Sequence, residues 1–166
     1  STLTVSIDGS DARSVSVMSA DFRGDNARIM VPLDAKSIGL WLSGVFGPAK
    51  EDGASELRFG WSQDRQRLEL IHAEPARPVN AVSDAGIERF SIDWARSGMT
   101  NVTLDIAGTS TEAVGTLAPE MPTTARLSEC FGSFEHNRKA LARVVGASIE
   151  LEPTTRKTFG EITLRI

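Results

Sequence analysis

Two runs of alternating residues limit what this chain can become. Phe90, Ile92 and Trp94 alternate with Arg89, Ser91 and Asp93. Val102, Leu104 and Ile106 alternate with Thr103 and Asp105, and the turn signal Ser97-Gly98 lies between the runs. A period of two puts the six apolar side chains on one side of an extended backbone. No helix gathers them so. The stretch 87–108 therefore predicts a β-hairpin with one buried and one wet face, closed by a turn at Gly108.

The rest of the chain repeats the pattern. Leu3, Val5 and Ile7, then Val15 and Val17, predict a first hairpin; 21–26 reads as a polar loop, and Ile29 to Val31 as a short strand stopped by Pro32. Ile38 to Val45 has apolar residues at both parities and predicts a central strand covered on both sides. Leu57, Phe59 and Trp61, then Leu68 and Leu70, predict a second hairpin. Pro75 and Pro78 mark 73–84 as loop. Ala113 to Leu117 reads as a strand. Leu127, Phe131 and Phe134 fall at helical spacing, so one short helix is expected near 124–140. Ile162, Leu164 and Ile166 alternate at the end. With about ten such segments and no β–α–β alternation, the expected class is all-β: an antiparallel two-sheet β-sandwich with its terminal strands paired.

A length of 166 residues suits one domain, 1–166, and no linker divides it. The net charge of −4 gives no general pull toward nucleic acid. A single cysteine, Cys130, excludes an internal disulfide or a cysteine-based zinc site, and the two histidines are far apart. No apolar run approaches the ~20 residues that span a bilayer, so no membrane insertion is expected. No charged-then-apolar leader is present; Ser1 is equally compatible with a removed Met, a cleaved signal or a cut fragment.

Several stretches resemble the laminin-G/concanavalin-A-like lectin and glucanase jelly rolls. FRGDNARIMVP (22–32) is similar to their first strand, 38–45 to the next, Trp-bearing one, 90–108 to their central hairpin, and VVGASIELEPTTRKTFGEITLRI (144–166) to their closing pair. The segment 118–143 departs from the pattern and reads as an insertion. The resemblance implies a jelly-roll sandwich, a glycan ligand and loop-held calcium, for which Asp21, Asp25 and Asp84 are the candidates.

Catalysis is not legible. Glu51, Asp52 and Glu56 sit in a loop rather than alternating along a strand, as paired glucanase carboxylates would. SELR (55–58) with His72 resembles alginate-lyase motifs, yet those enzymes need a tyrosine and this chain has none. Cys130 and His136 lie six apart on the expected helix and do not share a face. Arg23-Gly24-Asp25 matches the integrin tripeptide, which chance readily produces.

Binding remains. Sugar sites set an aromatic plane against a pyranose and polar forks against its hydroxyls. Trp41, Arg58, Trp61, Gln63, Asp64 and Arg65 supply those types. Trp61 shares its parity with Leu57 and Phe59, which points it inward; Trp41 faces away from Leu40 and Leu42 and is the better candidate for an exposed face. The expectation is a non-catalytic module that binds a glycan or a partner protein on a cell surface or phage-like particle. The alternative is a structural, homo-oligomerising part of such a particle: spike, fibre or coat. A polysaccharide-lyase-like enzyme ranks third.

Overall fold

The computed structural model describes residues 2–8, 11–33, 37–48, 50–51, 56–60, 66–74, 77–95, 100–112, 135–140, 146–152 and 161–165. The elements are β1 (Thr2–Ile7), β2 (Arg13–Ser16), β3 (Ser19–Arg23), β4 (Asn26–Pro32), α1 (Ser37–Phe46), β5 (Lys50–Glu51), β6 (Glu56–Gly60), β7 (Leu68–Glu74), β8 (Arg77–Ala95), β9 (Asn101–Thr111), β10 (Glu135–His136), β11 (Lys139–Ala140), β12 (Gly146–Leu151) and β13 (Glu161–Arg165).

The central hairpin forms as its alternation requires. Phe90 pairs with Leu104 and Ile92 with Val102, and all four are buried together with Ile106. From it one antiparallel sheet extends in the order β2-β1-β7-β8-β9-β4-β3, with β12 added beside β8. β9 pairs Ala81 to Asp93 of β8, overlapping the stretches that pair β7 and β12. Those two strands therefore share the opposite edge of β8, and the sheet forks there. The β8–β9 ladder slips at 83–86 and 87–89, along the same stretch. Such bulges bend a strand and raise its twist.

The sheet curls into a half-barrel. β2 and β3 lie at opposite ends of the strand order, yet only Val17 and Met18 connect them. Three Cα–Cα steps span at most about 11 Å, so the two margins meet at this corner. Met18 N–H donates to Met30 O at 2.8 Å, carrying the β3–β4 ladder into the corner. Leu3, Val5, Ile29, Val31, Leu68, Leu70, Ile87, Phe90, Leu104 and Ile106 fill the interior, each at most 2 % exposed. Each such side chain contributes about 1.5–3 kcal/mol by leaving water.

Several expectations are corrected here. Residues 38–45 are not a strand but most of α1, and their mixed parity reflects a helix that is apolar nearly all round and buried. Gly44 lets α1 approach β8: a Cβ there would sit 2.9 Å from Ile87 Cδ1. The loop expected at 21–26 is strand on both sides of a turn at Gly24-Asp25, and 77–84 belongs to β8 despite Pro78. β6 and β7 do not pair as a hairpin. β6 joins β5 and β13 in a separate sheet, and β7 joins β1 and β8. The terminal strands β1 and β13, expected to pair, therefore lie in separate sheets. Residues 135–140, the end of the expected helix, form the β10–β11 hairpin around Asn137 and Arg138, whose φ values are 51° and 64°. The remainder of that helix, the strand at 113–117 and most of 118–143 lie outside the described residues. The class is all-β with one short helix and a curled sheet rather than a two-sheet jelly roll.

Candidate assembly surface

Polar residues cover the outer face of the half-barrel, and five strands align their charges. Asp21 of β3 stands opposite Arg28 of β4, Arg28 opposite Asp105 of β9, and Asp105 opposite Arg89 of β8. Glu150 of β12 pairs with Ser91 and Leu151 with Phe90, which brings Glu152 level with Arg89 and leaves Glu150 diagonal to it. The result is a transverse row of alternating sign that runs β3-β4-β9-β8-β12.

The contacts follow the register. Arg28 grips Asp105 with two prongs, Nε to Oδ1 at 2.7 Å and Nη2 to Oδ2 at 3.1 Å. That hydrogen bond holds the Asp105 carboxyl below its ordinary range and raises the Arg28 guanidinium further above its own. Arg89 reaches Glu150 at 3.3 Å and Glu152 at 3.1 Å, and Arg23 reaches Asp21 at 3.0 Å. A hollow of about 480 Å³ lies over the β3 end of the row, lined by Asp21, Arg23, Asn26, Arg28, Glu88 and Asp105 among others. The row ends at sheet margins: among the described residues β3 pairs only with β4, and β12 only with β8. Unpaired strand edges present N–H and C=O groups to a further strand.

Of the residues nominated from the sequence for a glycan site, the described ones are Trp41 and Arg58. Trp41 has no solvent exposure: it sits in α1 within the core, and its Nε1–H finds no hydrogen-bond partner among the described residues. The exposed concave face expected for it is corrected accordingly. Arg58 lies on β6, paired with Thr163 of β13. Trp61, Gln63, Asp64, Arg65 and Cys130 lie outside the described residues. The three calcium candidates have separate engagements: Asp21 with Arg23, Asp25 with the N–H of Ser110 at 2.7 Å, and Asp84 with Arg67 at 2.9 Å. Among the described residues no group of three or more His, Cys, Asp or Glu could hold a metal ion. Asp25 thus fastens the Gly24 turn to β9, and the integrin-like tripeptide is part of that fastening.

The charge row was missed from sequence. Arg89 and Asp105 were visible as wet-face residues of the hairpin. Their opposition depends on the bulges, which alternation does not reveal.

The phage tail tube protein family matches residues 5–160. The chain belongs to that family. This overturns the laminin-G/concanavalin-A-like resemblance, whose alternating runs and Phe-Gly turns are common to many β proteins. Among curated proteins none matches the chain. As a tail tube family member it is a structural, particle-associated component of a phage, the alternative named above, and the glycan reading has no support. No helix among the described residues is long and apolar enough to cross a membrane.

Proposed function

We propose that this chain is a repeating wall subunit of a phage tail tube, a building block without catalytic turnover that joins copies of itself through the margins of its curled sheet. The match to the tail tube family over 5–160 carries the reading. The margins at β3 and β12, each paired on one side only among the described residues, support the mode of joining. They are different strands, so a contact between them is heterologous. Head-to-tail contacts of that kind close into rings or run on as filaments. The row itself ends in carboxylates at both margins, so the cation that Glu150 and Glu152 of one copy would meet on a neighbouring β3 is Arg23, which is 83 % exposed beside Asp21.

Sedimentation velocity over a concentration series, with negative-stain electron microscopy, tests the reading. The expected result is rings or tubes of uniform diameter. A monomer at every concentration would overturn it.

A further inference from the structure

One contact crosses the half-barrel outside its ladders. The ring of Phe22, on β3, stacks on the imidazole of His72, on β7, with centroids 5.4 Å apart and planes 14° from parallel. β8, β9 and β4 separate these strands in the sheet, so the stack spans the interior. His72 is 6 % exposed, and neither Nδ1 nor Nε2 has a hydrogen-bond partner among the described residues. Two unpaired ring nitrogens make it a poor core residue by stability alone.

The surroundings offer a proton little. β1 places Leu3 opposite His72 and carries no charged residue; β8 places Asn80 opposite. On β3, Asp21 and Arg23 alternate with Phe22 onto the outer face and pair with each other. α1 has no charged residue. Glu74, at the exposed end of β7 and opposite Arg77 of β8, attracts a proton, while the chain's amino terminus repels one. Burial is the largest influence and depresses the imidazole pKa below its ordinary value. The attraction of a phenyl face for a cation is smaller than the hydration lost by a buried charge without an acceptor.

We propose that His72 and Phe22 form an acid-sensitive latch that holds the edge strand β3 against the half-barrel and releases it when the imidazole is protonated. β3 suits this role because its ladder lies on one side only among the described residues. The sign follows from linkage. The closed form binds its proton more weakly than the open form, so closure is complete above about pH 6.5 and weakens as pH falls toward the closed-state value. Opening rises about tenfold per pH unit across that window. This latch concerns the single chain and stands apart from the proposed tube.

The test uses the full chain with His136→Gln, which leaves His72 as its one histidine. NMR titration is expected to place His72 below about 6.5. Amide protection of residues 19–23, corrected for intrinsic exchange, should fall about tenfold per pH unit from about pH 6.5 down to the observed His72 value and level off below it, while residues 102–106 of β9 keep theirs. His72→Phe should make β3 protection independent of pH. Phe22→Ala, which keeps the histidine, should move its titration up to the ordinary range and leave β3 weakly protected at neutral pH. Titration of His72 at or above the ordinary value would overturn the latch. So would an unchanged pH response in His72→Phe, or an unaltered titration in Phe22→Ala.

Discussion

Gly108 of β9 has no room for a side chain. A Cβ there would lie 2.6 Å from Ser83 O, 2.7 Å from Val82 Cγ1 and 2.8 Å from Ala85 Cα. Two of these atoms are backbone at the β8 bulge, where Asp84 takes a φ of 49°. Gly108→Ala must displace that bulge and is expected to lower stability by about 1–3 kcal/mol in urea titration. An unchanged midpoint would mean that the bulge yields freely. The Arg28–Asp105 pair makes a second prediction. Arg28 lowers the folded-state pKa of Asp105, so the pair stabilises above the ordinary carboxyl value of about 4 and fades as pH falls through the lower folded value. Asp105→Asn should be less stable than the parent at neutral pH, and the gap should close below about pH 4. A gap constant down to pH 2 would contradict this.

Among the elements, α1 departs furthest from what its residues suggest. SIGLWLSGVF is apolar at both parities, so neither the strand nor the helix period stands out. Burial all round produces such a pattern in either element. Its ten residues, no shorter than a common helix but long for a strand, were the available clue. Trp41 in this helix is core, so Trp41→Ala should cost about 3–5 kcal/mol in urea unfolding. Retention of the parent stability would return Trp41 to the surface. The hairpins 87–108 and 3–17 were legible because one face meets the core and the other meets water. β8 before Ala81 was not: Pro75 and Pro78 read as breakers, yet Pro78 lies where the β7–β8 register shifts. β6 and β7 are adjacent in sequence and were read as a pair. Besides their sequence neighbours β5 and β8, they pair with β13 and β1 respectively, from distant parts of the chain.

At the scale of the whole molecule, alternation states that a strand has a buried face but not which strand lies beside it. The fork at β8 and the β2–β3 corner are long-range choices of this kind, and a sandwich and a curled sheet share the same local patterns. The candidate site has the same origin. Asp21, Arg28, Asp105, Arg89, Glu150 and Glu152 are ordinary wet-face residues until the strand order brings them into one row.

If β12 is a joining margin, charge on that margin should govern assembly more than folding. Glu150 and Glu152 have side chains 54 % and 41 % exposed, and their pairs with Arg89 are of the solvated kind that adds little to stability. Replacing both by Lys sets two positive charges beside Arg89 and turns the margin against the exposed Arg23 of a neighbouring β3. The double variant Glu150→Lys/Glu152→Lys is therefore expected to keep the parent far-UV spectrum and nearly its melting temperature, yet to sediment as smaller species at concentrations where the parent polymerises. Raising the salt concentration should narrow the difference, because repulsion between exposed charges is screened within about 10 Å at 0.1 M. Tubes that form as readily from the double variant as from the parent would exclude β12 as a contact and leave the β2–β3 corner as the margin to test.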